Sequence, residues 1–341
     1  MSKLQIGLIF GGQSGEHEVS IASAKAVYQA LSQNSAYEIQ PFYIHKDGFW
    51  ANSQYSLAVL TGEHKFRYDQ ILQRFPSNVE KIDLWFPVLH GPNGEDGTIQ
   101  GMLQLFQKPY VGNGVLASAV GMDKILMKSC FAQAGLAQVK YLALNRWQWQ
   151  QETESWCENI ELELGYPCFV KPSNLGSSVG ISKVRDRQEL INGIEQALTF
   201  DSRIIIEQGV TAREIECAIL GNETPQASVV GEITFLSDFY DYETKYTPGR
   251  AELIIPAKLP IEVSQAMQSM AIKAFQIITA TGLARVDFFY IEASGTVLIN
   301  ELNTMPGFTT TSMYAKLWEV SGINFAELCD RLIRLGLAQS R

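Results

Sequence analysis

The chain has 341 residues, 46% of them hydrophobic and 18% charged, with a formal net charge of −9. That length and apolar content suffice for two or three buried cores and argue against disorder, while the acidic balance offers no clustered Lys and Arg face of the kind that nucleic acids require. No stretch approaches the roughly 20 apolar residues that span a bilayer; the N-terminal apolar run is too short for a signal peptide; and the five scattered cysteines, with no CxxC pair, read as reduced and mostly buried thiols of a cytoplasmic protein.

In chain order, residues 4–10 form a short apolar run of the kind expected for a buried parallel strand. The loop from Gly11 to Glu18 follows. Val19, Ala22, Ala26 and Ala30 then recur at helical spacing. Strands are expected at 37–44 and 81–89, so the first 110 or so residues alternate as a doubly wound, Rossmann-like α/β unit with a parallel sheet. The texture changes at Val111-Gly112-Asn113-Gly114. A helix over 117–135, a strand at 168–172, a Gly/Ser loop from Ser173 to Gly180, a further strand and a helix over 187–198 make a small α+β unit. Strands at 204–207, 214–220, 227–235, 284–291 and 296–303 dominate the remainder, interrupted by a long helix over 261–281. The Trp/Gln cluster at 146–151 reads as a surface connection. The division expected is an N-terminal α/β domain (1–112), a small central unit (113–206) and a C-terminal unit (207–341).

Several segments carry chemistry. Residues 284–290 and 297–303 fold as an antiparallel hairpin through Glu292-Ala293-Ser294-Gly295. The period of two puts Arg285 and Asp287 on one face, and Glu301 and Asn303 likewise. Asp287 then lies opposite Glu301, within a residue of register. Two carboxylates and an amide suit a hard cation such as Mg²⁺; the alternative is a solvated polar strand face. Lys171 stands at the mouth of the Gly/Ser loop, whose exposed N–H groups suit phosphate oxygens; the alternative is a surface hairpin. The loop is not a Walker A motif. Glu207 and Glu214 suit an adenine amino group and ribose hydroxyls, or are surface charges. Glu16, at a helix start, suits an ammonium group or merely the helix dipole. His90 ends a strand, where α/β sheets place ligands.

Taken together, GGQSGEHEVS (from Gly11), LHGPNGEDGTIQG (from Leu89), Met122-Asp123-Lys124, VKPSNLGSSVGISKV (from Val170), FYDYETKY (from Phe239), ARVDFF (from Ala284) and NELNTMPGFTTTS (from Asn300) resemble the D-alanine–D-alanine ligases in the correct order. The resemblance implies an ATP-grasp fold after the N-terminal domain, clamping ATP between two α+β subdomains. It implies phosphorylation of one D-alanine carboxylate by ATP and attack of a second D-alanine's amine on the acyl phosphate. By the same resemblance Lys124, Lys171, Ser178 and Lys245 would hold ATP phosphates, Glu207 and Glu214 the adenine and ribose, and Asp287, Glu301 and Asn303 two Mg²⁺ (or Mn²⁺) ions. Glu16 would take the first ammonium, with His90 nearby. Arg285 and the Gly307 N–H would stabilise the oxyanion, and Ser312 would receive the second carboxylate. Ser177 and Tyr246 would bridge to Glu16, and residues 239–250 would form a lid. A homodimer serving peptidoglycan precursor synthesis in the cytoplasm is expected.

Three other readings compete. A D-alanyl-D-lactate (depsipeptide) ligase shares the machinery. A non-catalytic ATP-grasp nucleotide-binding module would have lost the metal- and phosphate-binding residues, all of which are present. A nicotinamide dehydrogenase rests on the first βα loop alone, which lacks GxGxxG.

Overall fold

The computed structural model of the chain describes residues 3–63, 73–235 and 251–339. Strands β1 (Leu4–Gly11), β2 (Tyr37–Ile44) and β3 (Leu84–Pro87) form a parallel sheet in the order β2-β1-β3. Ile6, Leu8 and Phe10 face one core and Ile9 the other, which is why β1 reads as an unbroken apolar run. One face is covered by helix His17–Ser32 and by the last helix of the chain, Phe325–Ala338. The opposite face packs Trp85 and Ile9 against Ile99 and Leu103 of helix Thr98–Leu105. The terminal helix, from the expected C-terminal unit, thus packs on the N-terminal sheet, and its Gly336 lies close enough to Tyr110 that a Cβ would sit 3.0 Å from the Tyr110 carbonyl oxygen.

The first helix buries Ser20, Ser23, Ala24, Val27 and Leu31, one position away from the face that Val19, Ala22, Ala26 and Ala30 suggested. Two serines disguise the true face, and both are satisfied inside the core. The Ser20 hydroxyl accepts from Gly11 N at 2.8 Å and donates to the Val88 carbonyl. Gly11 itself has φ +92°, and a Cβ there would lie 2.2 Å from the Ile44 carbonyl oxygen.

Other boundaries shift for local reasons. The helix expected over 117–135 is two helices, Val115–Met122 and Lys124–Gln133. Asp123 between them is extended (φ −86°, ψ 102°), and its side chain caps the second helix by accepting from Leu126 N. The cluster at 146–151 is a helix, Arg146–Gln151, closed by a reciprocal capping box between Asn145 and Gln148, with Trp149 buried. The long helix runs only over Ile261–Ile277, because Thr279 turns left-handed at φ 57°. The segment expected as strand 81–89 contracts to β3 behind a 3-10 turn at Val79–Lys81.

Two antiparallel sheets make the rest. The four-stranded sheet has the order β4-β7-β5-β6, from Tyr141–Asn145, Arg203–Gln208, Cys168–Pro172 and Ser182–Val184. The five-stranded sheet has the order β10-β9-β8-β11-β12, from Ala251–Ile254, Gln226–Phe235, Arg213–Gly221, Gly282–Ile291 and Thr296–Asn303. Helices Thr153–Glu163 and Arg187–Phe200 back the smaller sheet through Ile160, Leu190 and Ile194. Helix Ile261–Ile277 backs the larger through Met267, Ala271 and Phe275. The other faces of the two sheets confront each other across a cleft. Four of the five cysteines are buried, Cys130 is half-buried, and all are free thiols.

Gly11→Ala combines a positive φ with a backbone clash, so it should destabilise the fold by about 2 kcal/mol or more in urea unfolding. Gly15→Ala, where nothing lies within 4 Å of the added Cβ, should be close to neutral in the same assay.

Candidate active site

The cleft has a volume of about 430 Å³ and is lined from both sheets and the Gly/Ser loop. Its floor is the β11–β12 hairpin. Asp287 pairs with Glu301 and Arg285 with Asn303, because a bulge between Asp287 and Phe288 shifts the register by one residue from that of Phe288 with Ile299. On the other side of β11, Asp287 faces Glu216 of β8. Three carboxylates therefore run in a row across three strands, Glu216–Asp287–Glu301. Arg285 answers part of that charge. Its Nε and Nη2 donate to the two Asp287 oxygens at 2.7 Å each, and Nε lies 3.0 Å from Glu216 Oε2. Burial pulls the Arg285 pKa down, but Asp287 and Glu216 outweigh it and hold the guanidinium charged. Asn303 Oδ1 accepts from Met305 N at 2.9 Å, which fixes the amide beside Glu301.

This donor set fits a hard divalent cation. Among the described residues no group of three or more His, Cys, Asp or Glu converges as a complete metal cage. Two opposed carboxylates with an amide oxygen are instead the partial shell that Mg²⁺ completes with phosphate oxygens and water.

Above the floor stand the basic groups. Lys171 ends β5 and its Nζ donates to Glu207 Oε2 on β7 at 2.7 Å. Lys124 opens helix Lys124–Gln133 and donates to the Leu175 carbonyl of the Gly/Ser loop, while its own N–H donates to the Ser173 carbonyl at 3.0 Å. Asp123 ties the same corner together through Ser173 and Arg203. Burial lowers the pKa of Lys124. Burial also acts on Lys171, but Glu207 and Glu301 outweigh it and raise that pKa. Glu207 would be pushed up by burial, yet Lys128 and Lys171 hold it down to about 2. Ser177 and Ser178 both lie in the left-handed region, at φ 51° and 59°. That conformation costs an L-residue roughly 1–2 kcal/mol and shapes the side of the loop that lines the cleft.

The N-terminal sheet delivers the remaining groups. Glu16 stands at the start of helix His17–Ser32. A Cβ on Gly176 would lie 3.5 Å from Glu16 Oε2 and 3.2 Å from Glu95 Oε1, so both carboxyls meet the Gly/Ser loop at one point. Burial and the neighbouring Glu16 charge push Glu95 up to about 8. His90 is buried, with Nε2 2.9 Å from Ser23 Oγ and Nδ1 3.0 Å from the Met305 carbonyl oxygen. The carbonyl accepts, so Nδ1 carries the proton. With both nitrogens engaged, His90 staples the 303–312 loop to the first helix and does not reach into the cleft. In that loop Ser312 Oγ accepts from Thr309 N at 3.1 Å and would lie 3.3 Å from a Cβ on Gly307. Ser312 also precedes helix Met313–Val320, whose N-terminus favours a carboxylate.

The structure thus brings Glu16, Lys124, Lys171, Ser177, Ser178, Glu207, Glu214, Arg285, Asp287 and Glu301 around one cleft and its N-terminal rim, with Asn303, Gly307 and Ser312 in the adjoining loop. Lys245, Tyr246 and the expected lid at 239–250 lie outside the described residues. Three participants escaped the sequence reading. Glu216 carried a signal, since it shares a strand face with Glu214. Glu95 sat in plain view in an acidic loop, but nothing local marks it as buried. Lys128 follows Lys124 by one helical turn, a spacing just as common on solvated helices.

A nucleotide-sized cleft between two antiparallel sheets, with lysines and a Gly/Ser loop above a carboxylate-bearing hairpin, defines an ATP-grasp ligase. Residues 5–113 match the model of the D-ala D-ala ligase N-terminus, and residues 130–334 that of the D-ala D-ala ligase C-terminus. A D-alanine–D-alanine ligase of Synechococcus sp. (strain CC9605) is 51% identical over 343 aligned residues, covering 98% of each chain. Among solved structures, the VanG D-Ala:D-Ser ligase of Enterococcus faecalis superposes with a TM-score of 0.84 at 35% identity, over 98% of this chain and 100% of that one. The D-alanine–D-alanine ligase of Coxiella burnetii superposes with a TM-score of 0.82 at 35% identity, over 99% and 94%. The chain belongs to the D-alanine–D-alanine ligase family.

Glu95 has a pH consequence. Its folded pKa of about 8 lies above the unfolded value of 4.5, so between those values the folded chain holds a proton that the unfolded chain releases. Stability must therefore fall as pH rises through that window, by up to about 1.4 kcal/mol per pH unit. Buried His90, held neutral chiefly by desolvation, acts in the opposite direction below about pH 6.5. Urea unfolding from pH 6.5 to 8 should show wild-type stability declining relative to Glu95→Gln, and parallel curves would refute a buried neutral Glu95.

Proposed function

We propose that this protein condenses two molecules of D-alanine to D-alanyl-D-alanine with conversion of ATP to ADP and phosphate, in the cytoplasm and for peptidoglycan precursors. The observation that carries the reading is the meeting of the Glu216–Asp287–Glu301 row with Lys124, Lys171 and the Gly/Ser loop in one cleft. A polyphosphate is the ligand that needs both: cations for its oxygens, and carboxylates for the ions that accompany it.

Lys124 and Lys171 hold the phosphates, with Ser178 beside them and Lys245 added by the family resemblance, while Glu207 accepts from the adenine amino group and Glu214 from the ribose hydroxyls. Asp287, Glu301 and Asn303 would hold two Mg²⁺ (or Mn²⁺) ions, which supply neutralisation of the charge that spreads over the phosphoryl oxygens. Glu16 receives the ammonium of the first D-alanine. A protonated Glu95 beside it leaves one negative charge for one positive charge. Transfer of the terminal phosphoryl group of ATP to the first carboxylate releases ADP and creates an acyl phosphate; the deprotonated amine of the second D-alanine attacks its carbonyl carbon, and the tetrahedral intermediate collapses with loss of phosphate. Arg285, held in place by Asp287 and Glu216, and the N–H of Gly307 face the oxyanion that develops. Ser312 and the helix behind it receive the second carboxylate, so the attacking nitrogen is oriented by its own substrate's far end. By the family resemblance, Ser177 and Tyr246, the latter outside the described residues, would bridge to Glu16. No side-chain nucleophile is required. The active form is a homodimer.

The deciding experiment is D-alanine-dependent phosphate release from ATP, followed by mass identification of products from equal D-alanine, D-serine and D-lactate. D-Alanyl-D-alanine should predominate. Mainly D-alanyl-D-serine or depsipeptide would keep the ligase reading and replace its second substrate. Absence of D-alanine-dependent phosphate release would refute the reading altogether.

Glu301→Gln preserves shape and removes one charge from the acid row. Ligation should be lost while urea unfolding stays within about 1 kcal/mol of wild type; turnover near wild type would exclude Glu301 as a metal ligand. Lys171→Ala should weaken transition-state stabilisation by about 2–4 kcal/mol, read as a fall in kcat/KM for ATP. Unchanged ATP kinetics would show that the phosphates lie elsewhere.

A further inference from the structure

Lys128 is 1% exposed and does not line the cleft. Its ammonium nevertheless sits directly behind the nucleotide-facing wall. Nζ is 3.1 Å from Glu207 Oε1 on β7, donates to the Asn300 carbonyl of β12 at 3.2 Å, and lies 5.8 Å from the centre of the Tyr141 ring on β4. One cation thus joins both sheets that form the cleft to the helix that carries Lys124. Glu207 is shared between this lysine and Lys171, whose Nζ lies 2.7 Å from Oε2. Of the two lysines, only Lys171 reaches the cleft.

The asymmetry decides what each lysine can do. A nucleotide phosphate competes with Glu207 for Lys171. If Lys171 were the sole partner of Glu207, that competition would strand a buried carboxylate, which either keeps the lysine or takes up a proton. A second, permanently buried cation removes the conflict. It also pins one carboxylate oxygen, so the group keeps one orientation when Lys171 turns away.

We propose that Lys128 is a positioning residue for the nucleotide: it holds Glu207 ionised and oriented as an acceptor for the base, and so releases Lys171 to the phosphates. The inference rests on the reading of Glu207 as the group that meets the adenine amino group. An ionised, oriented carboxylate accepts from that amino group and faces the corresponding carbonyl of hypoxanthine oxygen to oxygen. Base discrimination is therefore the property that Lys128 controls.

The test compares ATP with inosine triphosphate in steady-state turnover for wild type, Lys128→Met, Glu207→Gln and the double variant. Wild type should prefer ATP. Lys128→Met should cut the ATP-to-inosine-triphosphate ratio of kcat/KM at least tenfold, mainly through KM. The double variant removes Lys128 and its carboxylate together and serves as the test if Lys128→Met alone does not fold, and its ratio should match that of Glu207→Gln. A Lys128→Met enzyme that loses both nucleotides equally, with the wild-type ratio kept, would make Lys128 merely structural and overturn the proposal. If Lys128→Met does not fold, a double variant that keeps the wild-type ratio overturns it. A wild type indifferent to the base would instead refute the assignment of Glu207, and the proposal with it.

Discussion

The site depends on burying charge without leaving it unanswered. Glu207 is held between Lys128 and Lys171, and Arg285 lies between Asp287 and Glu216. Removing either partner of such a buried pair leaves a charge in a medium that solvates it poorly, typically at a cost of several kcal/mol. Each sheet is therefore tied internally by such a group, and Lys128 links the two through Glu207 of β7 and the Asn300 carbonyl of β12. β7 cannot move away from helix Lys124–Gln133 without exposing Glu207 to that penalty, and β8 cannot leave β11 without stripping Arg285.

The same groups keep the cleft ready for a ligand. Its lysines donate to protein acceptors, Lys171 to Glu207 and Lys124 to the Leu175 carbonyl. On the proposed reading a phosphate would replace these partners with stronger ones, so binding would exchange one set of hydrogen bonds for another with little reorganisation. The acid row is the complementary half. Its excess negative charge over Arg285 disfavours a bare phosphate and favours one that arrives with a cation.

The N-terminal sheet is tied to this machinery by neutral contacts. His90 bonds Ser23 and Met305, Ser23 accepts from Phe308 N, and Thr304 donates to the Glu95 carbonyl. Those bonds hold the 303–312 loop, with Gly307 and Ser312, against the helix that begins at Glu16. The amino-acid subsites of the proposed reaction would thus lie at a junction of the parallel sheet and the hairpin, and its nucleotide subsites between the two antiparallel sheets. The terminal helix Phe325–Ala338 reinforces the junction by packing its apolar side on the N-terminal sheet.

What the sequence determined by itself were the features set by local periodicity and local backbone chemistry. The strand alternation put Arg285 with Asp287, and Glu301 with Asn303, on one face of each strand, because side chains alternate whatever the surroundings; the bulge after Asp287 decided that Glu301 and not Asn300 lies opposite it. The glycines of the first loop and the Gly/Ser loop announced close backbone approaches. Tertiary structure decided the rest, wherever a residue's role depends on what lies across a gap. Ser20 and Ser23 count as polar in any pattern, yet they belong to the core because distant backbone and His90 satisfy them. Asp123 breaks a helix that periodicity would continue, because Ser173 and Arg203 meet its carboxylate. Glu95, Glu216 and Lys128 look like ordinary solvated charges until burial and a neighbouring charge, brought from other strands and loops, fix which of them is protonated and which is paired. Periodicity is a property of the chain, but the electrostatic environment of a side chain is a property of the packed fold.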